Sequence, residues 1–174
     1  MPGVYRAVCE NSALPREESG GVAHLKVVDR SAIVTATPAQ MFALVDDVPR
    51  YPEFLAGCVA ARLESASAHE RVAALEIVRG GVHLEFTTRN TLSPPSQILM
   101  ELVRGPFTRL IGRWRFEPIG EQGSRVGFHV EFEFKNRLMG IALNPVFESV
   151  CDKIVDSFVV RAREVYGAAP RGDG

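Results

Sequence analysis

"SRVGFHVEFEFKNRLMGIALNPVFESVCDKIVDSFVVRAREVYG", residues 124–167, changes period once, and that change decides the fold. Up to Phe134 the alternation is strict. Val126, Phe128, Val130, Phe132 and Phe134 point one way; Gly127, His129, Glu131 and Glu133 point the other. Period two with one polar side predicts a strand whose outer face meets water, as in antiparallel sheets. Beyond Asn136 the spacing becomes helical. Leu143, Phe147, Val150, Ile154, Phe158 and Val165 share a face, and Val146, Cys151, Val155, Val159 and Ala162 widen it. Pro145 is expected to kink this helix or, with Asn144 as cap, to restart it. So broad an apolar stripe needs a large surface to cover it.

Working upstream, the cover is visible. "VAARLES", "RVAALEIVRGGVHLEFTTRNTL", "QILMELV" and "RLIGRWRFEPI" read as strands, separated by Gly80-Gly81, Pro94-Pro95, Gly105-Pro106 and "GEQG" turns. A further strand is predicted near 24–35. Thr37, Pro38 and Gln40 then form a helix start with a capping box, and Met41, Leu44, Val45 and Val48 fall on one face. Pro49 stops that helix, Pro52 opens a second short one, and Gly57 ends it. The order is strand, two helices, about six strands, long helix. This predicts an α+β fold in which one curved antiparallel sheet wraps the C-terminal helix.

Composition sets limits on function. The chain has 174 residues, 46% hydrophobic and 24% charged, which suits one ordinary domain. Residues 23–166 are read as that domain, 1–22 as a flexible leader and 167–174 as a flexible tail. A formal net charge of −1 argues against binding nucleic acid through bulk charge, though not against a local basic patch. Cys9, Cys58 and Cys151 are odd in number and lack metal-type spacing, which fits a reducing compartment. No signal peptide or membrane-length apolar run is present, so a cytoplasmic protein is expected, with membrane contact left open.

The chemistry-bearing residues are sparse. There is no G-x-S-x-G elbow, and His24, His69, His83 and His129 are scattered. No Cys or His pair has ligand spacing, so no metal is expected. The glycine pairs are turn signals without a following lysine or helix start. A non-enzymatic protein with no required cofactor is the expectation.

Two surfaces remain. In "GPFTRLIGRWRFEP", residues 105–118, Leu110, Gly112, Trp114 and Phe116 form one face, while Arg113 and Arg115 lie on the other. The arginines therefore cannot stack bases on the tryptophan. They are expected to pair across strands with Glu85, Glu101 or Glu131, or else to join Arg104 and Arg109 as an RNA-contacting patch. On the dry face Leu84, Phe86, Thr88 and Asn90 alternate, followed by Ile98, Met100 and Leu102, then Trp114, Phe116, Phe128 and Phe132. Thr88 and Asn90 put polar groups into an apolar row, and Gly112 leaves a gap beside Trp114. An apolar wall with a few polar handles describes a small-molecule pocket, and ordinary packing is the competing reading.

"VPRYPEFLAGC", "LEFTTRN", "GPFTRLIGRWRFEP", "VGFHVEFEF" and "NPVFESVCDKIVDSFVVRA" together resemble the coenzyme Q-binding protein family. That family is a branch of the START-like, polyketide-cyclase-like superfamily; its bacterial members are also called ribosome-association toxins. The resemblance covers about 25–166 and implies the helix-grip fold. It implies a binder of a hydrophobic isoprenoid such as ubiquinone, supporting respiratory quinone function, in the cytoplasm or peripheral at the inner membrane. The tail would lie against Met100, Trp114, Phe128, Phe132, Phe147, Val150 and Ile154, with donors from Thr88, Asn90, Arg89 or Tyr51; Phe86 and Phe116 complete the wall. The alternative it implies is binding to the large ribosomal subunit and blocking subunit association. A cyclase or dehydratase acting on a polyketide-like substrate is the third reading. Relatives often carry Leu-Pro-Trp-Cys after Tyr-x-x-Phe, whereas this chain has Leu55, Ala56, Gly57 and Cys58 after Phe54.

Overall fold

The computed structural model describes residues 25–167. The expected leader, with Cys9, and His24 lie outside the described residues, as does the expected tail beyond Gly167. Within them the chain runs β1 (Lys26–Val34), α1 (Pro38–Asp46), a 3-10 helix (Val48–Glu53), β2 (Cys58–Ala66), β3 (Glu70–Arg79), β4 (Val82–Ser93), β5 (Gln97–Arg104), β6 (Phe107–Ile119), β7 (Gly123–Phe134) and α2 (Arg137–Tyr166). The strands form one antiparallel sheet in the order β1-β7-β6-β5-β4-β3-β2. This is the expected helix-grip architecture.

Local chemistry explains the joints. Thr37 Oγ1 accepts from the Gln40 amide at 3.2 Å, and Gln40 Oε1 accepts from the Thr37 amide at 2.9 Å, so the capping box starts α1. The second helix begins at Val48, ahead of the expected Pro52, because Pro49 is accommodated in its first turn and lacks only a donor that would be idle there. Gly80 and Gly81 turn β3 into β4 with φ of +59° and +77°, the pair of left-handed residues a two-residue hairpin needs.

The period change lands as read. Val126, Phe128, Val130, Phe132 and Phe134 are all buried. α2 is a single helix of 30 residues capped by Asn136, whose side chain accepts from the Met139 amide at 2.9 Å. Pro145 lies inside it and does not restart it. The burial of Phe147, Val150 and Cys151 just beyond holds the helix on the sheet across the missing hydrogen bond. Val165, expected on the buried face, is exposed near the helix end.

α2 packs chiefly on β1 and β7 and more lightly on β4. Lys26 pairs with Glu148 at 3.2 Å and Arg30 pairs with Asp152, fixing the helix to the β1 edge. The helix therefore stands off the β3–β5 half of the sheet. The 3-10 helix fills part of that space, with Tyr51 and Phe54 edge-on to Phe158 at 5.4 and 5.0 Å.

Candidate functional site

The space left under α2 is a cavity of about 60 Å³. Its walls are Ala73, Leu75 and Ile77 from β3; Phe86, Thr88 and Asn90 from β4; Met100; Leu110 and Trp114; Phe128 and Val130; Phe147, Val150, Cys151 and Ile154 from α2; and Val48, Tyr51 and Leu55 from the 3-10 segment. Ten of the twelve expected ligand-binding residues are among them. Phe116 and Phe132 are not. Phe116 sits beneath α1, edge-on to Phe42 at 5.8 Å, and Phe132 is edge-on to Phe147 at 4.6 Å, so both back the wall without lining it. The β3 residues escaped the sequence reading, although the alternation of Ala73, Leu75 and Ile77 in "RVAALEIVR" carried the signal.

Thr88 and Asn90 are both buried and face inward with the apolar row. Thr88 Oγ1 donates to Asn90 Oδ1 at 2.8 Å. That leaves the Asn90 amide nitrogen as a donor with no hydrogen-bond partner among the described residues, on a residue that lines the cavity. The other expected donors drop out. The Tyr51 hydroxyl donates to the Val45 carbonyl at 2.5 Å, and burial pushes its pKa well above the usual phenol range. Arg89 is on the outer face, where it meets Glu70 at 3.5 Å. Gly112 leaves no gap, because the Met100 methyl occupies the position its Cβ would take. The cavity is thus narrow. Small-molecule pockets span about 300–1,000 Å³, so a prenylated ring would enter only if α2 or the 3-10 segment moved outward.

The outer face of the sheet is polar and differently arranged from expectation. Arg113 lies between Leu99 of β5 and His129 of β7; Arg115 lies between Gln97 and Gly127. The glutamates sit one register step away, Glu101 and Glu131 both facing Ile111. Glu131 is already taken by Arg109 at 2.8 Å and by His129 at 3.4 Å, and Glu85 by Arg62 at 3.0 Å. The Arg109 and His129 hydrogen bonds hold the Glu131 carboxyl below its ordinary range. Arg113 and Arg115 consequently have no ion-pair partner among the described residues, which corrects the expected cross-strand pairing. Arg104 is paired with Glu64, so of the four candidate RNA-contacting residues two are neutralised and two are free. Arg125, opposite Glu117 in register but not ion-paired to it, adds a third free cation that the sequence reading missed. Beside Arg115 the surface is low, since Gly127 faces Ser31 of β1 and a side chain at Gly127 would meet only Arg115.

No group of three His, Cys, Asp or Glu among the described residues is placed to hold a metal. His83 meets Glu76 at 2.8 Å, and His129 meets Asp29 at 2.6 Å, both on the wet face. Burial pushes the Cys58 thiol up to about 11 and the Cys151 thiol higher still, so neither is an activated nucleophile.

A curved antiparallel sheet gripping one long helix over an apolar cavity defines the START-like, helix-grip fold. The family model described as polyketide cyclase / dehydrase and lipid transport matches residues 34–159, and the chain belongs to that family. It is 42% identical to the ribosome association toxin RatA of Escherichia coli K12 over 141 residues, covering 81% of this chain and 89% of that protein. It is 26% identical to the mitochondrial coenzyme Q-binding protein COQ10 of Drosophila melanogaster, covering 79% of this chain and 59% of that one. Among solved structures, the Zhui aromatase/cyclase from Streptomyces superposes with a TM-score of 0.73 at 17% identity, covering 84% of this chain and 99% of that chain. The last likeness concerns the fold alone. Among the described residues no helix is long and apolar enough to cross a membrane.

Proposed function

We propose that this protein docks on the large ribosomal subunit through the outer face of its sheet and blocks subunit association, without catalysing a reaction. The observation that carries the reading is the set of unpaired arginines, Arg113 and Arg115 with Arg125, on a chain 42% identical to a named ribosome association toxin. Guanidiniums with no carboxylate partner are free to meet phosphate oxygens, and such contacts position a protein on RNA without reading bases. Among the described residues the only aromatic ring at these register positions is His129, opposite Arg113 and held by Asp29 and Glu131, so the face suits the backbone of folded RNA better than stacked single strands. The site of action in this reading is the cytoplasm. Joining of purified small and large subunits, followed on sucrose gradients, tests it. The wild-type chain should suppress joining and Arg113→Ala/Arg115→Ala should restore it; suppression by both would sink the patch.

A second reading rests on the free Asn90 donor in an apolar cavity. In it the chain binds a hydrophobic isoprenoid such as ubiquinone, whose carbonyl would accept from Asn90. Native mass spectrometry of protein purified from its own host checks this. Recovery of empty protein, with no quinone taken up from liposomes, would leave the cavity a packing feature.

A further inference from the structure

The first turns of α2 are apolar on both sides. Leu143 and Phe147 pack inward. The opposite side carries Leu138 at 80% exposure and Ile141 at 66%, with Ala142 and Pro145 also exposed. These four stand at i, i+3, i+4 and i+7, one continuous stripe facing solvent. Further along the same stripe the exposed residues are Asp152, Asp156, Val160 and Arg163, so charges there outnumber the one aliphatic. The helix thus has an ordinary charged outer face only in its later part.

The charge around the stripe is one-sided. No acidic residue occurs between Glu133 and Glu148. Lys135 and Arg137 are exposed there and have no ion-pair partner among the described residues. Cations at a helix N-terminus oppose the macrodipole, and the first turn of α2 has no acid to offset them. Helix stability therefore explains neither the cations nor the aliphatics. The Lys135 amide donates to the Pro106 carbonyl at 2.9 Å, which brings the β5–β6 turn alongside.

We infer that this end is a docking surface for an anionic phospholipid bilayer, with Leu138 and Ile141 entering the acyl boundary and Lys135 and Arg137 meeting lipid phosphates. A convex stripe of aliphatics, rimmed by unpaired cations and with its nearest helix carboxylate, Glu148, already paired with Lys26 at 3.2 Å, complements a surface that offers negative charge over disordered hydrocarbon. An RNA surface would satisfy the cations and leave the aliphatics in water. The inference is independent of the ribosomal reading, which uses the opposite, sheet-borne face.

Vesicle co-sedimentation of the full chain tests it, using phosphatidylcholine alone and phosphatidylcholine mixed with phosphatidylglycerol. Binding to the anionic vesicles should exceed binding to the neutral ones roughly tenfold and fall in high salt. Leu138→Ser/Ile141→Ser and Lys135→Gln/Arg137→Gln should each reduce it about tenfold. The subunit-joining assay should be unmoved by the first pair, which separates the two surfaces. On an otherwise unchanged chain, Leu138→Trp should shift its added emission to the blue with anionic vesicles. Equal binding to both vesicle types, or no loss in either pair, overturns the inference. So does a lipid-free dimer that Leu138→Ser/Ile141→Ser converts to monomer, which would make the stripe a contact between copies.

Discussion

The Thr88 hydroxyl and the Asn90 carbonyl oxygen pair inside an apolar wall, so removing one injures the other. Thr88→Val would leave Asn90 Oδ1 buried and unpaired, and should cost about 1–3 kcal/mol in urea unfolding. Thr88→Val/Asn90→Leu removes both partners and should recover most of that loss. Ionisation follows the same logic at Cys58. Burial favours its neutral thiol, raising its pKa to about 11 in the folded chain. Its contribution is whole below the unfolded thiol pKa of about 8.5. Above that, the unfolded chain gains by ionising, and the contribution is lost as pH rises to about 11. Unfolding free energy should therefore decline over that alkaline window, with the same direction from Cys151 and Tyr51, and Cys58→Ala should flatten part of the decline. Alternation along β4 was enough to place Thr88 and Asn90 inward from the sequence. It could not show that Tyr51 spends its hydroxyl on Val45, because that bond depends on how the 3-10 helix folds back on α1.

The elements were legible where periodicity ran unbroken and less so where proline interrupted it. β7 and α2 follow from one change of period, and the capping box at Thr37 follows from three letters. The course of α2 through Pro145 did not, since a proline's local penalty was outweighed by packing of the turns beyond it. The pairing of Arg113 and Arg115 did not either. Which residue faces which across two strands is set by bulges such as the one between Phe107 and Arg109, and no single-strand pattern encodes them. The β5–β6 corner shows how tightly such joints are built. Gly105 has φ of +151°, and a Cβ there would come within 2.8 Å of the Phe86 Cβ. Gly105→Ala combines backbone strain with that collision. It should destabilise the protein by about 1–3 kcal/mol or more, read as a fall in melting temperature. Gly120, also left-handed at φ +60° but with open space around it, should lose less on the same substitution.

At the scale of the whole molecule the sheet separates two chemistries. Its concave side is occupied by α2 and a cavity too narrow for a prenylated ring as it stands. Its convex side carries free arginines on a chain whose formal charge is −1. Bulk charge therefore cannot hold this protein on RNA, and any ribosomal affinity must be concentrated in few contacts. Each phosphate neutralised on duplex RNA-like backbone should contribute a salt slope near the −0.9 per contact known for duplex DNA. Arg113, Arg115 and Arg125 together then predict a log–log slope of about −2 to −3 for binding to isolated large subunits. Arg113→Ala/Arg115→Ala should make that slope shallower by roughly 1–2 and weaken binding most at low salt. Arg104→Ala should change it little, because that cation is already spent on Glu64. A slope that is steep and unchanged by the double substitution would move the contact off the sheet. A slope near zero would replace phosphate contact with an apolar one, for which the outer sheet offers only scattered aliphatics such as Val27 and Ile33.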